Sequence, residues 1–226
     1  MVSTDAEAYR EARTTVCALA QAHADEVDRR PPATPDWRIH DLLAHLTGVA
    51  TDVVAGNLEG VGTDPWTAKQ VELRRDWTLE ELLAAWDEQG SALDAVIDSL
   101  PPGTFGQLLF DTWTHEQDLR GALATPGGRE SAAAAAAWGW VMGQLEARDA
   151  AAASPALVLV TERDERVLGV EPTAATVRAS QFELLRAMTG RRSVDQIHDY
   201  NWDGEPLVDR IVLVPLFHPA DAALVE

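Results

Sequence analysis

The sequence is poor in cysteine and in basic residues, and each shortage excludes a class of site. Cys17 is the single cysteine in 226 residues, so the chain can form no internal disulfide and has no thiolate cluster that could hold zinc. The 18 lysines and arginines face 37 acids, which gives a net charge of -19. A chain of this charge repels a phosphate backbone, so we expect neither nucleic acid nor an anionic membrane surface as a partner.

Long apolar runs and an export signal are also lacking. No stretch approaches the ~20 apolar residues of a membrane span, and residues 1–9 carry acids where an export signal would carry positive charge. A single cysteine suits a reducing compartment. We therefore expect a cytoplasmic protein, and its 46% hydrophobic residues are enough to form a core.

Helical periodicity dominates the first two thirds of the sequence. Thr4 with Glu7, and Thr78 with Glu81, form capping-box patterns, each directly before apolar residues at helical spacing. Four amphipathic helices joined by connections that allow antiparallel neighbours predict a bundle. The predicted helices begin near residues 4, 37, 78 and 104.

Two further segments complete the helical part. Residues 59–76, with Gly60, Gly62 and Pro65, are predicted as a long connection that could form the mouth of a pocket. An alanine-rich segment opens at Ser131, and its six consecutive alanines favour a fifth helix.

The character of the sequence changes at Pro155, where short β-type runs begin. The fold class we predict is α+β, with a helical bundle over residues 1–152 and a small α+β domain over residues 153–226. The predicted strands are residues 156–161, 166–170, 175–179 and 211–214, and residues 181–189 form a short helix ended by Gly190.

An acid and a histidine lie one helical turn apart in the fourth helix. Asp111 and His115 stack on one face at ~3.6 residues per turn, so both can bind one divalent cation. His45, beside the apolar stripe of the second helix, could be a third ligand. A salt-bridged or solvated pair and a core imidazole are the alternative interpretations. His40 points to another face of its helix and is expected to be exposed.

Two separated motifs carry a resemblance to a known family. WRIHDLLAHLTG at residues 37–48, followed by DTWTHEQDL at residues 111–119, resembles the mycothiol-dependent maleylpyruvate isomerase family of actinobacteria. The run at residues 182–193 is similar to the second, sterol-carrier-like domain of that family. The resemblance implies a DinB-like bundle in which His45, Asp111 and His115 bind a divalent metal, usually Zn²⁺. The best-known member has Glu where this chain has Asp111, which is shorter by one methylene.

The resemblance also implies the chemistry and the partners. An open metal position would accept the sulfur of mycothiol, and its thiolate would add to a double bond of a small electrophile, followed either by rotation and elimination or by retention of sulfur. The chain would then be an isomerase or an S-transferase. We expect it to be a monomer or a weak dimer. Asp118 and Glu116, close to His115, could orient that imidazole or act as a general base, and Asp118, one turn beyond His115, is the one predicted to orient it. The alternative is that Asp118 pairs with Arg120 or with a neighbouring helix.

A carboxylated substrate would need cationic groups in the protein. Arg186 is our candidate, together with Arg191 and Arg192, and surface arginines are the alternative interpretation of all three.

Two other functions stay open. One is a non-catalytic protein that binds a metal or small ligand, and the other is a metal hydrolase that uses bound water. Metal content distinguishes the binding protein from the thiol-dependent enzyme. A requirement of turnover for a thiol distinguishes the hydrolase from that enzyme.

Overall fold

The computed structural model describes residues 4–214 and 216–226. Contacts divide the chain into two compact units, residues 4–136 with Glu226 and residues 137–225. The first unit is helical and the second contains the sheet, so the predicted α+β class is confirmed. The predicted domain border at 152/153 lies later in the chain than this division and stays a prediction.

Four long helices of the first unit close into a ring. The second helix packs on the fourth, the fourth on the first, the first on the fifth and the fifth on the second, while the third helix packs on the second. This arrangement is a four-helix bundle with one added helix. The helices are α1 (Asp5–Ala22), α2 (Ile39–Ala55), α3 (Asp64–Leu73), α4 (Leu79–Asp98) and α5 (Gly106–Leu123).

Both predicted capping boxes are present. The side chain of Thr4 accepts from the backbone N–H of Glu7 at 3.1 Å, and that of Thr78 from the N–H of Glu81 at 3.2 Å. A capping threonine satisfies a backbone donor that the helix itself leaves unpaired, so these residues fix where α1 and α4 begin. The predicted alanine-rich helix is α6 (Ala132–Ala151), and Ser131 accepts from the N–H of Ala134 at its start.

The prediction of a long connection over residues 59–76 is wrong, because α3 lies within it. Thr63 is the N-cap of α3, and Pro65 lies in the first turn. Proline is well tolerated there, since the first turn has no intrahelical acceptor for its missing N–H. Its presence next to Gly60 and Gly62 suggested a loop, whereas it starts a helix.

A four-stranded sheet forms the core of the second unit, in the order β2-β1-β3-β4. The predicted hairpin is confirmed, because β1 and β2 pair antiparallel with Leu157 opposite Leu168. β3 pairs parallel with β1, and β4 pairs antiparallel with β3. The strands are β1 (Pro155–Val160), β2 (Glu165–Leu168), β3 (Val170–Arg178) and β4 (Asn201–Asp203).

The predicted strand at residues 211–214 is wrong. Ile211 is the last residue of a short helix, and Ile211, Val212 and Leu213 are all buried. A short buried apolar run has the same pattern in a strand and in a helical turn, so periodicity cannot separate them. The predicted helix at residues 181–189 is confirmed. The remaining helices are α7 (Gln181–Met188), α8 (Val194–His198) and α9 (Val208–Ile211).

None of the helices in the described part of the chain is long and apolar enough to cross a membrane.

A buried arginine joins α1 to α4. Nη1 of Arg13 donates to the backbone oxygen of Asp87 at 2.9 Å and to its carboxylate at 2.8 Å. Gly90 makes room for it, since a Cβ at residue 90 would lie 2.5 Å from the Arg13 Cζ atom. The guanidinium cannot shift without losing these hydrogen bonds in a buried position.

We therefore expect Gly90→Ala to lower the free energy of unfolding by roughly 1–3 kcal/mol, the usual cost of overpacking. The same substitution in an open helical position normally raises it by about 0.5–1 kcal/mol. Gly139→Ala in α6 is the control, because apart from its two chain neighbours and the nearby backbone of its own helix, no heavy atom of the described residues lies within 4 Å of the new Cβ. Urea unfolding followed by circular dichroism measures the free energy of unfolding of both variants. If both substitutions change it in the same direction, the role of Gly90 is contradicted.

Candidate metal centre

Three potential metal ligands meet between two helices of the bundle. His45 lies on α2, and Asp111 and His115 lie one turn apart on α5. One ligand atom from each residue can be chosen so that all of them are within 4.8 Å of one another. The side chains of His45 and His115 are 4% and 10% exposed, whereas that of Asp111 is 29% exposed. Two buried imidazoles thus face a carboxylate that solvent can reach.

The carboxylate of Asp111 lies between the two Nε2 atoms. The Nε2 atom of His45 is 3.2 Å from Oδ2, and that of His115 is 3.6 Å from Oδ1. Tetrahedral zinc with bonds of ~2.0–2.1 Å places neighbouring ligand atoms roughly 3.3 Å apart. A single oxygen, Oδ1 of Asp111, lies 3.4 Å from Nε2 of His45 and 3.6 Å from Nε2 of His115, which is close to that spacing.

The Nδ1 atoms of both rings have acceptors of their own. Nδ1 of His45 lies 2.8 Å from Oε1 of Gln70, and Nδ1 of His115 lies 3.1 Å from Oδ2 of Asp118. An amide oxygen only accepts, and a carboxylate oxygen accepts when it is ionised, so the hydrogen-bond network assigns a proton to each Nδ1. In a neutral ring, Nε2 then presents a lone pair towards Asp111.

A lone pair and a carboxylate repel each other at 3.2 Å, and either a proton on Nε2 or a metal ion between them removes that repulsion. Two neutral imidazoles and one carboxylate are a donor set that binds a divalent transition ion, with a position left for a further ligand. The residues present therefore fit a catalytic metal.

An indole packs against both imidazoles. Trp37, directly before α2, has its ring centroid 5.3 Å from that of His45 and 5.7 Å from that of His115. The Trp37 and His115 rings are stacked at 25°, and the two imidazoles meet edge to face with centroids 5.1 Å apart. Sequence reasoning did not identify this role of Trp37, although an aromatic residue shortly before a helix that carries a ligand was a usable signal.

The contact between Asp118 and His115 has the geometry that the sequence predicts for an orienting residue. Glu116 lies elsewhere, because its Oε1 accepts from Nε of Arg120 at 2.8 Å. Burial raises the pKa of Glu116, and Arg120 acts in the opposite direction. Arg120 therefore pairs with Glu116 in this helix, and a catalytic role of Asp118 itself stays a prediction.

The expectation that His40 is exposed is wrong. Its side chain is buried, and Nε2 lies 2.7 Å from the backbone oxygen of Trp77. The chain after α3 returns over this face of α2, which the sequence did not reveal because α3 itself was not predicted. Gln70 was missed for the same reason.

The three candidate arginines belong to the second unit and are all buried, so their interpretation as surface residues is wrong. Arg192 donates to both carboxylate oxygens of Glu183, at 2.6 and 2.8 Å, which is a bidentate ion pair. Arg186 on α7 is fully buried. Its assignment to a carboxylated substrate stays a prediction.

Comparisons with known proteins agree with the fold. Residues 9–105 match the family described as mycothiol maleylpyruvate isomerase N-terminal domain, a match that contains His45 and ends before α5. No curated protein sequence matches the chain. A crystal structure of a mutant of the mycothiol-dependent maleylpyruvate isomerase has a TM-score of 0.60 at 13% identity, over 88% of this chain and 91% of that one. A second crystal structure of that isomerase has a TM-score of 0.58 at 14% identity, over 82% and 88%.

The position of Asp111 between both imidazoles makes it a test of the centre. We expect Asp111→Ala to weaken divalent metal binding by more than ~10-fold, since loss of a charged ligand costs at least as much as disturbance of a residue that orients one. Asp111→Glu keeps the carboxylate and should keep metal. Competition with a chromophoric chelator measures both affinities. If Asp111→Ala binds as tightly as the parent protein, another residue supplies the third ligand.

Proposed function

Because residues 9–105 match the mycothiol maleylpyruvate isomerase N-terminal domain family, we propose that the chain is a metal- and thiol-dependent isomerase or S-transferase. The thiol is mycothiol and the substrate is a small electrophile. The proposed ligands are His45, Asp111 and His115, and the proposed ion is Zn²⁺. A bound divalent ion would lower the pKa of a coordinated thiol below its free value of ~8.5, so that the thiol is present as a thiolate at neutral pH.

The observation that carries this proposal is that each imidazole has an acceptor at Nδ1 and directs its Nε2 atom towards Asp111. Gln70 and Asp118 accept from the Nδ1 atoms, so both rings turn their basic Nε2 atoms towards Asp111. Structural zinc sites use four protein ligands, whereas three protein ligands with an open position are typical of catalytic ones. The partial exposure of Asp111 gives solutes access to the centre from its side.

The thiol must come from outside the chain. Cys17 lies on α1, and burial raises the pKa of its thiol to about 11, with Arg13 acting in the opposite direction. A thiol with that pKa is protonated at neutral pH and is a poor nucleophile. No second cysteine exists in the sequence. This supports an external thiol as the nucleophile of the proposed reaction.

We expect the protein to bind about one divalent ion per chain, as a three-ligand site requires. The measurement is elemental analysis of untagged protein after zinc loading and desalting. His45→Ala and His115→Ala should each lose the ion, because each removes a nitrogen ligand. His40→Ala is the matched control, since His40 lies on the same helix but contacts the Trp77 backbone. Unchanged metal content in both ligand variants would reject the assignment.

Mycothiol should bind the metal-loaded protein and leave the metal-free protein unaffected. A ligand that binds only the folded state adds RT ln(1 + [L]/Kd) to stability, ~2.7 kcal/mol at a hundredfold excess over Kd. Thermal melting with and without metal measures this shift. Cobalt-substituted protein gives a second readout, because sulfur coordination produces an intense near-ultraviolet charge-transfer band.

The control for the thiol experiment is Cys17→Ser, in which the band should survive and still depend on added thiol. Absence of both the band and the metal-dependent melting shift across a panel of thiols would reject thiol dependence. In that case, turnover of ester or amide substrates would indicate a hydrolase.

A further inference from the structure

A polar chain of three side chains connects α2 and α3 at the back of the metal centre. Nε2 of Gln70 donates to Oδ2 of Asp52 at 2.8 Å, and Oε1 of Gln70 lies 2.8 Å from Nδ1 of His45. His45 and Asp52 lie on α2, whereas Gln70 lies on α3. Gln70 is 1% exposed, so its amide cannot exchange these partners for water.

The three side chains together determine the direction of each hydrogen bond between them. The Asp52 carboxylate can only accept, so the amide nitrogen of Gln70 must face it. The amide oxygen then faces His45, and because an amide oxygen also only accepts, Nδ1 of His45 must donate. The proton of the neutral ring is thereby fixed on Nδ1, and Nε2 is left as the basic nitrogen.

The close approach of α3 depends on a glycine. A Cβ at residue 48 would lie 2.5 Å from Cβ of Gln70 and 3.0 Å from Nη1 of Arg74. Arg74 itself is buried and links the two helices, since it donates to the backbone oxygen of Gln70 at 3.2 Å and to Oγ1 of Thr51 at 3.0 Å. Any side chain at residue 48 would displace Gln70 from its position behind His45.

We propose that Gln70 is a positioning residue of the metal centre, locked by Asp52, and that α3 is the element that sets the tautomer of His45. The inference rests on the proposed metal-binding function. His115 has its acceptor three residues away on its own helix, so its tautomer is set within α5. His45 has its acceptor on another helix, so its tautomer depends on how α3 packs against α2.

The direct test is metal affinity in Gln70→Leu, which keeps a similar volume and removes the acceptor. We expect a loss of ~10–100-fold, the usual effect of removing a residue that orients a ligand. The double variant Asp52→Asn with Gln70→Glu is the rescue. It reverses donor and acceptor between residues 52 and 70 but keeps an acceptor towards His45, so affinity should return to within ~10-fold of the parent.

A second measurement needs no metal. Long-range ¹H–¹⁵N correlation spectra of metal-free protein at pH ~8, above the ordinary histidine pKa of ~6.5, distinguish the protonated ring nitrogen from the bare one. We expect His45 to be protonated at Nδ1 in the parent and to become a mixture of tautomers in Gln70→Leu. The His115 signals should not change, which makes that ring the internal control.

Gly48→Ala provides an independent variant without any change in polar groups. It should lower metal affinity and mix the His45 tautomers in the same direction as Gln70→Leu, while far-ultraviolet circular dichroism confirms that the helices remain. Parent-like affinity and a parent-like His45 spectrum in Gln70→Leu would overturn the inference and leave the metal centre standing. Absence of metal binding in the parent protein would overturn the proposed function, and the spectra would still decide the role of Gln70.

Discussion

The hydrogen bonds at the Nδ1 atoms of His45 and His115 determine what the centre can do. They hold both protons on the far side of the rings and leave two basic nitrogens facing Asp111. Without those acceptors, either ring could place its proton on Nε2 and donate to the carboxylate, which would close the site as an ordinary buried hydrogen bond. The two acceptors therefore separate a ligand set from a structural polar cluster.

The polar groups at two of the helix contacts in the bundle, α1 with α4 and α2 with α5, have different roles. Between α1 and α4, Arg13 pairs with Asp87, and Trp86 donates to the Tyr9 hydroxyl at 2.9 Å, so polar side chains link the two helices directly. Between α2 and α5, the Nε2 atoms of two imidazoles face the Asp111 carboxylate, which together form a donor set for a divalent cation. Polar groups at the first contact hold the bundle together, and those at the second contact gain from a cation.

Much of this arrangement could be predicted from the sequence, because it depends on local patterns. Capping boxes fixed the starts of α1 and α4, and the spacing of Asp111 and His115 placed both on one face of α5. The sequence did not indicate α3, since two glycines precede it and a proline lies in its first turn. The contacts of Gln70 and His40 were missed together with α3. These depend on how one helix packs on another, and no spacing along the chain encodes that. The strand expected at residues 211–214 failed because a buried apolar run of four residues has no distinguishing period.

The donor set also limits which ion suits the centre. Magnesium and calcium prefer oxygen ligands, and a site with two imidazole nitrogens and one carboxylate is a poor match for either. Affinities among the first-row divalent ions rise towards copper, so the protein must select by geometry and by which ion is available. The shorter Asp111, with oxygens 3.2 and 3.6 Å from the two Nε2 atoms, keeps the donor spacing near that of a small tetrahedral ion. Zinc accepts nitrogen and oxygen ligands in a tetrahedral arrangement, and it can activate a thiol without itself being oxidised or reduced. For these reasons we propose zinc for this centre.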